Sequence, residues 1–156
     1  MPDMLVKTYE LPGWQDLKDE LEQDGIIIKQ ALMPEMGRLD AFAREHFSEG
    51  WASEVMGCFT NKPVSCYYAA RGEEIIGFSC CESTARGFFG PTGVLPAYRG
   101  RGIGKALLLA ALHHLKDLGY AYAIIGGAGP TGFYEQACGA VEIPGSVPGI
   151  YKDLHV

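Results

Sequence analysis

A glycine-rich stretch comes directly before the most strongly helical segment of the chain. It reads PAYRGRGIGKALLLAALHHL from Pro96 to Leu115, with glycines at positions 100, 102 and 104. From Gly104, apolar residues follow at 108, 111 and 115, which is the stripe of an amphipathic helix. An extended segment, GFFGPTGVL, comes before the glycines. The order of strand, glycine loop and helix predicts an α/β unit whose helix packs back onto a sheet.

The glycine loop predicts a binding site for an anion. The first four amides of a helix have no acceptor inside it, and the helix dipole adds partial positive charge there. Glycine removes the Cβ atoms that would keep a phosphate away from the backbone. Arg99, Arg101 and Lys105 add positive charge at the same place. We therefore expect a pyrophosphate at this loop; the alternative is a flexible glycine turn without a ligand.

The two common nucleotide-binding loops do not fit this stretch. A dinucleotide-binding loop has the spacing G-x-G-x-x-G, whereas the spacing here is G-x-G-x-G. A Walker A loop needs glycine where Arg99 stands, and serine or threonine where Ala106 follows Lys105. The pyrophosphate therefore belongs to another class of ligand.

The rest of the chain alternates between strand and helix patterns. We expect helices over residues 12–25, 34–47, 51–59, 104–118 and 131–138, with Gly50 ending the second of them. We expect strands at MLVKTYEL, IIIKQAL, VSCYYAA, EIIGFSCCEST, GFFGPTGVL, YAYAIIGG, AVEI and GIYKDL, with a four-residue hairpin loop at 71–74. Antiparallel hairpins followed by one strand–helix–strand crossover predict an α/β (mixed α+β) fold. Its sheet is twisted and mostly antiparallel, with helices on both faces.

Composition narrows the class of protein. A length of 156 residues with 47% hydrophobic residues predicts one domain with a full core. The net charge of −6 disfavours nucleic acid as a partner, because binding to phosphates needs a basic face. No apolar run or leader pattern is present, which predicts a cytoplasmic protein without a membrane partner. Five cysteines without C-x-x-C spacing predict neither a disulfide framework nor a metal site.

Two motifs resemble the GNAT superfamily of N-acetyltransferases. Arg99–Gly104 fits the signature R/Q-x-x-G-x-G/A of that family, and GFYEQACGA at 132–140 is similar to its later segment xYEKxGF. The resemblance covers residues 26–151. It implies a single GNAT-like domain over 1–156, in which residues 1–25 form an appended strand and helix.

The resemblance implies acetyl-CoA as the co-substrate. Matched by position, Thr92, Gly93 and Val94 form the strand end that pairs with the pantetheine arm and holds the acetyl carbonyl. The segment Arg99, Gly100, Arg101, Gly102, Ile103, Gly104 and Lys105 then binds the pyrophosphate. The family pattern also implies that GFFGPTGVL and YAYAIIGG splay apart around the thioester.

The resemblance further implies transfer of the acetyl group to a primary amine of a small molecule or peptide by direct attack. Tyr134 matches the tyrosine that protonates the leaving sulfur, and the alternative is an aromatic core residue. No residue pattern identifies the base. Glu82, at a strand end, is the first candidate, ahead of Glu54 and Glu142. The pair at 113–114, two histidines, is expected at the surface.

Two departures from the family concern the acceptor side of the site. Gly127 stands where an asparagine is common, and the turn after Tyr134 is one residue longer and contains Cys138, which we expect near the CoA thiol. Three readings therefore stay open: an N-acetyltransferase, an acyl-CoA-binding regulatory domain with little turnover, and an acyltransferase for another acyl chain or a non-amine acceptor. The acceptor has no signature, with Trp51, Tyr67 and Gln136 as candidate pocket residues. A homodimer is the assembly that the resemblance favours.

Overall fold

A computed structural model describes all residues from Met1 to Val156. The strands are β1 (Met4–Lys7), β2 (Ile26–Gln30), β3 (Cys66–Arg71), β4 (Glu74–Cys81), β5 (Phe88–Val94), β6 (Tyr122–Ile125) and β7 (Val141–Glu142). The helices are α1 (Gln15–Gln23), α2 (Met36–His46), α3 (Glu49–Cys58), α4 (Ile103–Asp117) and α5 (Thr131–Cys138). None of the helices combines the length and apolarity needed to cross a bilayer.

All seven strands form one sheet in the order β2-β3-β4-β5-β6-β1-β7. Every pairing is antiparallel except that of β5 with β6, which are joined by the crossover through α4. The predicted α/β fold with a mostly antiparallel sheet is confirmed. The single parallel pair lies where the glycine loop leaves the sheet.

Helices cover both faces of the sheet. On one face, α1, α4 and α5 pack against apolar side chains of β1, β2, β4, β5 and β6. On the other face, α2 and α3 pack against β3 and β4 through residues such as Phe42, Val55 and Phe78. Ten residues of α4 are buried, so this helix is enclosed around most of its circumference. The glycine loop is therefore attached to the most deeply packed helix of the fold.

The strand β1 lies inside the sheet rather than beside it. It pairs with β6 along its whole length, with Val6 opposite Ala123, and its other edge pairs with β7. Asp3, which is only 7% exposed, donates its N–H to Ser146 and accepts a hydrogen bond from the N–H of Gly127 at 2.8 Å. Residues expected as an appended strand thus complete the sheet next to β6.

Three local expectations differ from the structure. GIYKDL is not a strand: Pro148 precedes a short 3-10 turn, and positive φ angles at Gly149 and Asp153 interrupt any extended run. The turn between β3 and β4 has two residues rather than four, because Arg71 and Glu74 are already paired. Gly50 lies within α3, because the Ser48 side chain caps that helix by accepting from the N–H of Trp51 at 3.1 Å.

Candidate functional site

The glycine loop presents a run of unpaired backbone N–H groups. Gly100 and Gly102 have φ angles of 79° and 87°, a conformation that a side chain would strain. The first backbone hydrogen bond of α4 runs from Ala106 N to Gly102 O at 3.0 Å. The six amides from Gly100 to Lys105 have no acceptor within the protein. They form a concentrated set of donors for an anion at the positive end of the helix dipole.

The cationic side chains around the loop are not neutralised. Arg99 Nε donates to the carbonyl oxygen of Val94 at 3.2 Å, and the Arg101 guanidinium lies 5.2 Å from the centre of the Tyr98 ring. Neither arginine nor Lys105 takes part in an ion pair. Their positive charge is available to a phosphate bound at the amides.

The strands β5 and β6 separate next to this loop. Their only paired residues are Phe88 with Ile124 and Phe89 with Ile125, and the last hydrogen bond between them runs from Gly126 N to Phe89 O at 3.3 Å. The remainder of β5, up to Val94, pairs only with β4. A V-shaped gap therefore opens from Gly90 and Gly126 towards the glycine loop.

The free edge of β5 faces into this gap. Leu95 N donates to Ile76 O at 2.9 Å, which sets the alternation along β5 and directs the backbone of Gly93 towards β4. The N–H and C=O groups of Thr92 and the N–H of Val94 consequently point into the gap, where an extended ligand can pair with them, while the Val94 carbonyl oxygen accepts from Arg99 Nε. Gly93 makes room for the ring of Phe47. A Cβ atom at position 93 would lie 2.5 Å from that ring and would collide with it.

The helix α5 forms a wall beside the gap. The ring of Phe133 lies about 4 Å from the position that a Cβ atom on Gly104 would take. The Tyr134 ring is 6.4 Å from that of Phe89, the last paired residue of β5. The two quoted motifs are therefore brought together at one site.

Tyr134 combines a buried ring with an accessible hydroxyl group. The residue is 7% exposed, yet its hydroxyl has no hydrogen-bond partner. The one fully enclosed side-chain polar atom without a partner is His114 Nε2, so the Tyr134 hydroxyl keeps access to solvent. Burial raises the pKa of Tyr134 above its usual value, which keeps the phenol protonated at neutral pH.

Comparison with known proteins identifies the family. Residues 26–140 match the sequence profile of the Acetyltransferase (GNAT) family. The chain belongs to this family. The resemblance drawn from the two motifs is confirmed, and the matched family is one of acetyltransferases.

Solved structures share the GNAT fold at low sequence identity. A GCN5-related glucosamine N-acetyltransferase region of a fungal multi-domain β-N-acetylglucosaminidase superposes with a TM-score of 0.72 and 16% identity, over 91% of this chain and 19% of that one. A GCN5-related N-acetyltransferase from Sphaerobacter thermophilus gives 0.70 and 18%, over 91% and 48%. A GNAT acetyltransferase from Brucella melitensis in complex with acetyl-CoA gives 0.56 and 19%, over 71% and 80%.

This chain therefore spans less than half the length of the first two of these proteins. No curated protein sequence is significantly similar to it.

Glu82 lies at the closed end of the β5–β6 pair. Its backbone N–H bonds to Phe88 O, four residues or about 13 Å before Thr92 along β5. Its carboxylate accepts from the N–H of Gly87 and from the Tyr120 hydroxyl at 3.1 Å. These contacts hold the β4–β5 loop beside the paired end of β5 and β6, and Glu82 as the base stays a prediction.

Two further residues differ from their expected surroundings. Cys138 is buried and donates its thiol to the carbonyl oxygen of Tyr134 at 3.2 Å, and burial raises its pKa to about 11. It is a packed thiol rather than a reactive one. His114 is not at the surface: it is 6% exposed, and its Nδ1 lies 2.9 Å from the Tyr67 hydroxyl, because α4 is enclosed on nearly all sides. His113 is the half-exposed member of the pair, with Nε2 at 2.9 Å from Pro12 O.

A cavity of about 960 Å³ lies on the opposite face of the sheet. Its lining comes from residues of α3 and its cap between 48 and 54, from residues between 150 and 156, and from Thr84. We call this cavity the tail pocket. Of the three candidate pocket residues, Trp51 lines this cavity, whereas Tyr67 and Gln136 do not. Tyr151 was missed by the sequence patterns, because a strand was expected there.

Proposed function

We propose that this GNAT chain is an N-acetyltransferase that uses acetyl-CoA to acetylate a primary amine of a small molecule or peptide. The observation that carries the proposal is the run of six unpaired amides from Gly100 to Lys105, directly beside the gap between β5 and β6. A relative with the same fold was crystallised with acetyl-CoA, which supports the same co-substrate here.

The residues present fit acetyl-CoA. The amides of the glycine loop, together with Arg99, Arg101 and Lys105, bind its pyrophosphate. The exposed backbone groups of Thr92 and Val94 pair with the amides of its pantetheine arm. Acetyl-CoA supplies an activated thioester carbonyl, and the chain supplies orientation and proton transfer.

Tyr134 donates a proton to the leaving sulfur. A thiol of pKa about 8.5 needs only about 2 kcal/mol of help at pH 7, since each pKa unit corresponds to about 1.4 kcal/mol. A neutral phenol beside Phe89, at the closed end of the gap, is a suitable donor. Deprotonation of the amine is the more costly of the two proton transfers. For an alkylamine of pKa about 10.4 it requires about 4.6 kcal/mol at pH 7 on the same scale.

The expected setting is the cytoplasm. All five cysteines are free thiols, which suits a reducing compartment. The homodimer stays a prediction that a sedimentation measurement would test.

Thiol release from acetyl-CoA tests the proposal against a panel of polyamines, aminoglycosides, amino acids, arylalkylamines and short peptides. We expect release with at least one amine, together with saturable binding of acetyl-CoA. Binding without release for any amine would favour the regulatory-domain reading. Absence of both would contradict the assignment of the loop. Competition among acyl-CoA chain lengths separates acetyl transfer from transfer of a longer chain.

A further inference from the structure

We propose that the tail pocket is the acceptor site, and that its acceptor is a primary amine on an apolar or aromatic body, held and deprotonated by Glu54. This inference rests on the proposed function, because it names the acceptor of that reaction. Position, charge and shape support it independently.

The tail pocket adjoins the closed end of the gap. Tyr151 lines the pocket, and a Cβ atom on Gly126 would collide with its hydroxyl and lie 3.2 Å from the Phe88 ring. Gly126 donates the last hydrogen bond between β6 and β5. A molecule in the pocket therefore reaches the place where the two strands part.

A second contact joins the pocket to β5. Trp51 lines the pocket and stacks on Phe47, with ring centres 5.2 Å apart. Phe47 in turn covers Gly93 in the middle of the free part of β5. The pocket approaches the gap from the face of α2 and α3, whereas Tyr134 approaches it from the face of α4. An acceptor and a proton donor on opposite faces can act on one thioester without competing for space.

Glu54 supplies an unpaired negative charge inside the pocket. Thr84 donates to Oε1 of its carboxylate, and Ser83 donates to its backbone oxygen at 2.5 Å, so the residue is fixed in place. Its Oε2 has no hydrogen-bond partner and is not fully enclosed. No lysine or arginine lines the pocket, and the other acidic side chain of the lining, that of Glu49, is paired with Arg44. This balance favours a cation and disfavours an acceptor that carries its own carboxylate.

The walls around Glu54 are apolar. Trp51 lies on one side, and the tail side presents Ile150 and Leu154, which are 57% and 60% exposed. Exposed apolar side chains around one half-buried charge suit a ligand with an ammonium group at one end and an apolar body behind it.

The proton transfers balance in this arrangement. Glu54 takes one proton from the ammonium group, and the freed nitrogen lone pair forms a bond to the acetyl carbon while the carbon–sulfur bond breaks. Tyr134 gives its proton to the sulfur, and the second proton lost by nitrogen restores it. One proton is released overall, from Glu54 to solvent. Burial raises the pKa of Glu54, which makes its carboxylate a better proton acceptor than a solvated one.

The test uses three acceptors of matched structure. 2-Phenylethylamine has the ammonium and the aromatic body, phenylalanine adds a carboxylate, and ethanolamine lacks the apolar body. We expect kcat/KM for phenylethylamine to exceed that of each of the others by at least about tenfold. We also expect phenylethylamine to bind the CoA-loaded protein in calorimetry. Equal use of phenylalanine, or neither binding nor turnover of phenylethylamine, would overturn the pocket assignment.

The matched variants are Glu54→Gln and Glu45→Gln, which make the same change in net charge. Glu54→Gln should lower kcat/KM for phenylethylamine by about 100-fold and leave the Kd for acetyl-CoA unchanged. Glu45 is exposed on α2 outside the pocket, and its variant should behave like the wild type. An unchanged rate in Glu54→Gln would overturn the role of Glu54.

The pH dependence of kcat/KM distinguishes a base from a residue that only supports the structure, because only a titrating base produces an acidic limb. Cys58 and Glu49 on α3, and the tail residues Tyr151 and His155, are the titratable side chains around Glu54. We expect an acidic limb in kcat/KM that disappears in Glu54→Gln and persists in His155→Gln. A limb that persists in Glu54→Gln would contradict the proposal.

Failure of the inference and failure of the proposed function are distinguishable. If acetyl-CoA binds and other amines react without any effect of Glu54→Gln, the function stands and the pocket assignment is wrong. If acetyl-CoA does not bind the wild-type chain, the proposed function fails, and the inference fails with it.

Discussion

Placing a carboxylate in the glycine loop tests whether the loop binds phosphate. Gly102 is the residue before α4, and a Cβ atom there would meet only the flexible end of Leu17, at 3.0 Å. Gly102→Asp and Gly102→Asn are nearly equal in size, and both side chains tolerate positive φ better than most. Each carries a side-chain oxygen at the same position, so any effect on capping is shared. Strain, contact and capping are therefore matched, and the two variants differ in one negative charge.

The magnitude follows from that charge. Two unit charges about 5 Å apart at an effective dielectric constant of about 20 repel by about 3 kcal/mol. Because about 1.4 kcal/mol changes Kd tenfold, Gly102→Asp should bind acetyl-CoA about 200-fold more weakly than Gly102→Asn at low ionic strength. The loop is exposed, and salt near 0.1 M screens charges over about 10 Å, so the ratio should fall towards about tenfold there.

Calorimetric titration of acetyl-CoA into the wild type and both variants, at two ionic strengths, measures this ratio. Thermal unfolding of the same samples reports the shared strain separately. Equal Kd values for the aspartate and asparagine variants would refute the assignment of the pyrophosphate to these amides.

Three further substitutions test the other assignments. Tyr134→Phe should lower kcat by about 100-fold without changing the Kd for acetyl-CoA; an unchanged kcat would leave the residue a core role only. Glu82→Ala should lower the free energy of unfolding by about 1–3 kcal/mol, measured in urea, and keep kcat/KM within about threefold; a selective loss of kcat would restore Glu82 as the base. Burial lowers the pKa of His114, so below its ordinary pKa of about 6.5 the unfolded chain binds more protons and stability falls with falling pH. His114→Gln should reduce this loss between about pH 7 and 5 in thermal unfolding, and His113→Gln should not.

Local signals in the sequence predicted the loop and the helix that follows it. Consecutive glycines beside basic residues and an apolar stripe occur within about twenty positions, so their meaning does not depend on distant contacts. The short helix that carries Tyr134 was likewise predicted from a local pattern. The structure has the predicted loop and helix, because the unpaired amides of a helix N-terminus depend only on neighbouring residues.

Features assembled across the chain were harder to predict. The tail pocket joins Glu54, Thr84 and Tyr151, which no periodicity connects. Glu82 was correctly placed at a strand end, but its hydrogen bonds with Gly87 and Tyr120 join residues that no local pattern connects. His114 was misjudged because a stripe on one helix face does not show how many other elements enclose the helix.

The central place of β1 in the sheet has a consequence for the order of folding during synthesis. Val6 pairs with Ala123, so 117 residues separate the partners, whereas β2 to β5 pair mainly with neighbours in the chain. At about 5–20 residues per second, the ribosome needs roughly 6–23 seconds to produce the partner of β1. During that time the antiparallel pairs among β2 to β5 can form, whereas both edges of β1 stay unpaired. The half of the sheet on the far side of the gap is therefore finished last, and a nascent chain forms the gap between β5 and β6 only after almost all of these residues have been made.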